Sequence, residues 1–145
     1  PGIQVVKDYD SLPEVSCYPG QLNQVFMNLL ANAIDALDER DQARSQQAIQ
    51  EAPSQITIST MAVQTDRVAI HISDNGAGIP QNVLESVFDP FFTTKGVGKG
   101  TGLGLSISHQ IVTEKHHGKL YCHSSPNQGT EFVIEIPIQQ PDEIS

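Results

Sequence analysis

Side chains able to do chemistry are concentrated in three short runs of this 145-residue chain. In the first, Gln24, Asn28 and Asn32 recur every four residues, so on a helix their amides stack along one face, opposite Phe26, Leu30 and Leu37. Asparagine costs a helix interior about 0.5 kcal/mol relative to alanine. Two of them aligned among leucines and alanines point to a use beyond solubility. A neutral amide oxygen suits Mg²⁺, which takes oxygen ligands and keeps several waters beside substrate phosphates. A plain solvated face competes with that reading.

The second run is DNGAGIP, residues 74–80, directly after a strand-like segment. A carboxylate there, Asp74, is partly desolvated and needs a hydrogen-bond donor, which the exocyclic amine of adenine supplies. Gly76 and Gly78 let backbone approach a base closely. An Asn-Gly turn followed by a helix cap is the bland alternative. The third run is FFTTKGVGKGTGLGLSIS, residues 91–108, with five glycines between Gly96 and Gly104. It is neither a P-loop nor a G-x-G-x-x-G dinucleotide fingerprint. Its glycines suit a mobile lid. Lys95 and Lys99 are placed to meet phosphate oxygens, and Gly102 and Leu103 begin a helix whose free N–H groups form an anion site. Glycine continuing to Gly104, inside the first helical turn, costs about 1 kcal/mol and so implies close backbone approach.

The positioning elements are legible around these runs. Residues 3–9 alternate weakly and read as a strand. Residues 21–37 carry Leu22, Val25, Phe26, Leu29, Leu30, Ala33, Ile34 and Leu37 in an i, i+3, i+4, i+7 stripe. Residues 38–54 are polar and helix-tolerant until Pro53, a connector with room for a short helix. ITISTMAVQ (56–64) and RVAIHISD (67–74) alternate around Thr65-Asp66 and predict an antiparallel pair. A short helix over 82–88 and a longer one over 103–115, stopped by Gly118, follow. KLYCHSS (119–125) and TEFVIEIPI (130–138) are two further strands. Hairpins with interspersed helices predict an α+β, two-layer sandwich.

Composition narrows the function. The length fits one domain over residues 1–145. A net charge of −9 argues against nucleic-acid binding and leaves any phosphate to local cations, backbone N–H groups or a metal. Cys17 and Cys122 form no C-x-x-C pair, so neither a disulfide framework nor a zinc knuckle is indicated. No apolar run approaches a membrane span and no signal peptide is visible. A reducing, cytoplasmic setting and an excised domain, opening at Pro1 without methionine, are the expectations.

QVFMNLLANAIDAL (24–37) resembles the N box of sensor histidine kinases, DNGAGIP their first glycine box, VFDPFFTTK (87–95) their F box and GKGTGLGLSIS (98–108) their second glycine box. GTEFVIEIP (129–137) is similar to their last strand. The resemblance covers nearly the whole chain. It implies a Bergerat-type ATP-binding sandwich: a mixed, mostly antiparallel sheet covered on one face by about three helices, with a lid over Mg·ATP. Carried over, Asn32 is the main Mg²⁺ ligand and Asn28 a supporting member of its box. Asp74 accepts from the adenine amine beside Gly76 and Gly78. The run Gly100-Thr101-Gly102-Leu103-Gly104 faces the phosphates with Lys95 and Lys99. Phe88, Phe91 and Phe92 pack the lid against the body.

Two departures qualify the resemblance. Many relatives carry a cation three residues after the second asparagine, where this chain has Asp35, which shifts phosphate contacts towards Lys95 and Lys99. The hairpin carrying the phospho-accepting histidine is not seen in this sequence, and none of His71, His109, His116, His117 and His123 sits in a matching context. A metal cluster from His116, His117, Cys122 and His123 is a minor alternative. Asn28 stands where ATPase branches of the superfamily carry a glutamate base, so slow hydrolysis is expected. The resemblance implies γ-phosphoryl transfer from ATP to a histidine on a separate dimerisation hairpin, with a response regulator downstream. For this chain it implies a monomer with no direct membrane contact. A stand-alone anti-sigma-factor-type serine kinase of the same fold is the alternative.

Overall fold

A computed structural model describes residues 3–9, 15–89, 104–125 and 128–139. The strands are β1 (Gln4–Tyr9), β2 (Gln55–Val63), β3 (Arg67–Asp74), β4 (Lys119–Ser125) and β5 (Gly129–Pro137). The helices are α1 (Pro19–Gln42), α2 (Gln46–Glu51), α3 (Gln81–Leu84) and α4 (Gly104–Gln110). A π-helical turn, Ile111–Lys115, follows α4 directly. The sheet runs β1-β2-β3-β5-β4. Every pairing is antiparallel except β1 with β2, which is parallel. A parallel pair needs a long crossover, and α1 and α2 lie within this one. This is the α+β sandwich expected from the sequence.

The helix α1 exceeds its expected span at both ends. Pro19 sits in its first turn, where the missing N–H is not needed, and residues 38–42 extend it with adequate helix formers. Beyond it the connector folds around Asp41. Arg44 Nη2 donates to Asp41 Oδ1 at 2.6 Å, and Ser54 Oγ lies 2.9 and 2.8 Å from the two carboxylate oxygens. The hydrogen bond from Arg44 is the main influence holding Asp41 below the usual carboxylate range. Ser45 caps α2 by accepting from the Ala48 N–H at 3.1 Å.

The core lies between one sheet face and the helices. Leu22, Val25, Leu29, Ala33 and Leu37 from α1 pack with Ile56, Val68, Ile72, Leu120, Phe132, Ile134 and Ile136 from the strands, and with Ile111 and Val112. Full burial of each large side chain contributes about 1.5–3 kcal/mol. Phe26 and Leu30 are only half-buried at the margin. Asn28 and Asn32, also half-buried, border the buried stripe on its other side. The face directed away from the sheet carries exposed Met27 and Ile34.

Two expected helices differ in detail. The one expected over 82–88 is helical only through Leu84 and continues as turns. The one expected over 103–115 begins, among described residues, at Gly104 and widens to a π turn. His116 explains that widening. Its backbone N–H donates to the Ile111 carbonyl at 3.2 Å, and its Nδ1 meets the same carbonyl at 3.0 Å. Its Nε2 accepts from the Tyr18 N–H at 3.0 Å, so this fully buried ring joins the helix end to the start of α1.

Candidate functional site

Asp74, Thr130 and Ser124 form one row on the helix-facing side of the sheet, because β3, β5 and β4 are in register there: Asp74 opposes Thr130, and Thr130 opposes Ser124. Asp74 is 9% exposed. Its Oδ1 accepts from the Gly76 N–H at 2.9 Å. Burial pushes its carboxyl above the ordinary value, against the opposing pull of the Gly76 and Thr130 N–H groups and the Arg40 charge. A carboxylate held mainly by backbone donors keeps acceptor capacity for a further donor.

The turn after Asp74 is braced from three sides. Asn75 Oδ1 accepts from the Gln55 N–H at 2.8 Å, and Asn75 Nδ2 donates to the Pro53 carbonyl at 3.0 Å. Arg40 Nη1 donates to the Asn75 carbonyl at 2.6 Å. Ser124 Oγ accepts from the Ile79 N–H at 2.6 Å. Gly78 has φ +81° and lies so close to Ser125 that a Cβ would collide with that residue's carbonyl oxygen. A Cβ on Gly76 would stand 2.9 Å from Asp74 Oδ1 and 3.5 Å from the Ala36 carbonyl. Gly78 is thus required by the protein's own packing, whereas a side chain at Gly76 would displace the Asp74 carboxylate. A cleft of about 200 Å³ opens at this end of the sheet and reaches round to the helix-free face at Ser73, His123 and Glu131.

The amides of α1 are held less completely. Asn28 Nδ2 donates to the Gly104 carbonyl at 3.3 Å and to Ser108 Oγ at 3.2 Å, tying α1 to α4. Asn32 Nδ2 donates to the Asn28 carbonyl at 2.9 Å, which commits its NH₂ end to the helix and leaves Oδ1 as its acceptor. Gln24 is exposed. A Cβ on Gly104 would make ordinary contact with the Asn28 side chain at 3.7 Å, so protein packing does not demand glycine there.

Lys95, Lys99, Gly100, Thr101, Gly102 and Leu103 lie outside the described residues, as do Phe91 and Phe92. The structure brings Asn28, Asn32 and Gly104 together, and Asp74, Gly76 and Gly78 together. Phe88 packs on Phe132 with ring centroids 6.2 Å apart and on His109 at 5.1 Å, the body contact expected of it. Among the described residues no group of three His, Cys, Asp or Glu side chains is disposed to hold a metal. The suggested cluster of His116, His117, Cys122 and His123 is therefore not formed, since His116 turns both ring nitrogens to the backbone. Neither cysteine forms a disulfide. Burial, with the Asp74 and Glu131 charges, pushes the Cys122 thiol up to about 12.

Arg40, Ser124 and Thr130 were not singled out from the sequence. Thr130 had a signal, as the threonine of the Gly129-Thr130 opening of the last strand. Arg40 and Ser124 had none, because each reaches the turn only through the tertiary fold.

The chain belongs to the family described as histidine kinase-, DNA gyrase B- and HSP90-like ATPase, which matches residues 17–140. Its relatives include sporulation kinase E of Bacillus subtilis, 35% identical over 131 residues. That match covers 90% of this chain and 16% of the relative. Sensor kinase CckA of Brucella abortus is 42% identical, with 81% of this chain and 12% of the relative covered. The chain thus spans less than a quarter of the length of either curated relative. The catalytic domain of histidine kinase ThkA is structurally similar, with a TM-score of 0.74 and 31% identity, covering 94% of this chain and 81% of that one. ThkA has also been solved in complex with the response regulator TrrA, where the TM-score is 0.70 at 28% identity, covering 94% and 34%. The chain is thus a homologue of sensor histidine kinases with the fold of their catalytic domain, and ATP is the nucleotide of its family. No helix among the described residues is long and apolar enough to cross a membrane.

Proposed function

We propose that residues 1–145 form one ATP-binding catalytic unit of a two-component sensor histidine kinase, which delivers the γ-phosphoryl group of ATP to a histidine on a separate dimerisation hairpin. The observation that carries this reading is the buried Asp74 carboxylate, held by backbone N–H groups and set in a glycine turn that the protein braces from three sides. Such a preformed acceptor suits the adenine amine. Asn32 Oδ1, a neutral hard oxygen, fits Mg²⁺. Bound there beside the phosphates, the ion would neutralise charge developing on the transferred group.

Asn28 supports a kinase over a hydrolase. It stands in the N box with its NH₂ turned to Gly104 and Ser108, and an amide takes no proton from water. The protein's own part is binding and orientation. Asp74 fixes the base, α1 presents Asn32, and Gly104 leaves room for phosphate beside the start of α4. Lys95, Lys99 and the run from Gly100 to Leu103 complete the phosphate contacts in this reading. The attacking group is a hairpin imidazole: its nitrogen bonds to phosphorus as the bond to the β–γ bridging oxygen breaks, and ADP leaves. A response regulator then takes the phosphoryl group. Use of ATP and unbridged thiols accord with the cytoplasm, and the chain by itself is monomeric in this reading.

The test is phosphorylation from γ-labelled ATP. The chain alone acquires no label, whereas with a phosphoacceptor hairpin joined to it an acid-labile phosphoramidate forms, and Asp74→Asn abolishes it. An acid-stable phosphoserine on a partner protein would contradict the proposal.

A further inference from the structure

Ser124 lies on β4, outside the four sequence boxes, yet three hydrogen bonds converge on its hydroxyl. It accepts from the Ile79 N–H at 2.6 Å. It stands 2.9 Å from the Gly129 carbonyl oxygen and 2.9 Å from Thr130 Oγ1. The proton assignment follows from what each atom can do. A carbonyl only accepts, so the single Ser124 proton is directed to Gly129. The Thr130 proton must then point at Ser124. Any other arrangement leaves two oxygens facing each other with no hydrogen between them, inside a site where Thr130 is 7% exposed. Thr130 Oγ1 is left with lone pairs alone, on the residue that opposes Asp74 across the β3–β5 ladder and whose N–H lowers the pKa of the Asp74 carboxyl.

We infer that Ser124 is a positioning residue that sets the base selectivity of the nucleotide site, by locking the Thr130 hydroxyl as an acceptor beside Asp74. This rests on the reading of Asp74 as the partner of the base. Two adjacent acceptors welcome the exocyclic amine of adenine and repel the carbonyl that guanine carries at the same ring position. Without Ser124 the Thr130 hydroxyl is free to rotate and donate to that carbonyl. Ser124 also holds Ile79, and so keeps the glycine turn against β4 and β5.

The experiment is calorimetric binding of Mg·ATP and Mg·GTP to the parent chain, Ser124→Ala and Ser124→Thr, with thermal melts to confirm folding. Ser124→Ala is expected to narrow the ATP-over-GTP affinity ratio about tenfold, the scale of one buried polar contact. Ser124→Thr, which keeps the hydroxyl, should retain the ratio within about threefold on the same scale. If Ser124→Ala does not fold, Ser124→Cys carries the test, because a thiol is a weak donor and acceptor and should narrow the ratio in the same direction. Equal loss of both affinities, with the ratio intact, would reduce Ser124 to a structural brace and overturn the inference. So would a threonine variant no more selective than the alanine one. A parent chain that binds both nucleotides alike overturns the adenine reading and this inference together, whereas selectivity that survives in Ser124→Ala sinks this inference alone.

Discussion

At the Asp74 end of the molecule the polar groups around the turn are bonded within the protein, whereas at the Asn32 end the amides donate to helix backbone and to Ser108 and keep acceptor capacity on their oxygens. Arg40, Asn75 and Ser124 clamp the first region from α1, β2 and β4. The second is tied to α4 through the two bonds of Asn28, at 3.3 and 3.2 Å. Under the proposed function, the difference is one between a preorganised pocket and an adjustable one. Recognition of a rigid base gains from fixed donors and acceptors, since little ordering remains to be done on binding. In the proposed reading the phosphates and their cation change position during the reaction, and side-chain amides that keep acceptor capacity can adjust to them.

Substitutions can break this contrast, and the largest effects fall on the frame common to both regions. His116→Ala leaves the Tyr18 N–H and the Ile111 carbonyl without their ring partner and empties a fully buried site. A loss of about 3 kcal/mol in unfolding free energy is expected from denaturant melts, with base selectivity unchanged in the folded fraction. Gly78→Ala comes next. At φ +81° against the Ser125 carbonyl it should cost about 2 kcal/mol and loosen the turn, lowering adenine affinity more than phosphate affinity. Comparing adenosine with inorganic triphosphate as competing ligands checks this. Asn32→Ala acts at the other end. It should weaken Mg·ATP binding about tenfold, or ~1.4 kcal/mol, while leaving adenosine binding as it was.

The smallest effect is the most diagnostic of preorganisation. Asp74 is raised above its ordinary value chiefly by burial. The folded chain therefore holds that proton more tightly than the unfolded chain. The stability this contributes is complete below the unfolded value and is lost as pH rises through the folded one. At neutral pH the ionised carboxylate is accordingly a burden on the ligand-free fold. Asp74→Asn should flatten that slope and leave the melting temperature equal to or slightly above the parent's. Melts from mildly acidic to neutral pH would show it.

Much of this was legible in the residues. The apolar stripe of α1, the two hairpins and the glycine turn after β3 follow from periodicity and turn chemistry, which are local. The parallel placement of β1 was not readable, because alternation over residues 3–9 says nothing about which strand it joins. The π turn escaped for a similar reason: it is fixed by His116, whose buried ring accepts from the Tyr18 N–H, nearly a hundred positions away. Within the site, Asp74, Gly76 and Gly78 announced themselves by type and spacing. Ser124 and Arg40 are ordinary residues in ordinary settings until β4 and the end of α1 deliver them to the turn. Asn28 was noticed as one of an aligned pair, but its bond to Ser108 depends on how α4 lies across α1.

The most direct test of the central claim, a preformed base pocket built on Asp74, is calorimetric titration of Mg·ATP into the parent chain and into Asp74→Asn. The expected result is binding by the parent and a loss of roughly 1.5–3 kcal/mol in the variant, whose amide sets a donor against the adenine amine, with melting unimpaired. Equal affinity in two equally folded chains would contradict it and move base recognition away from β3.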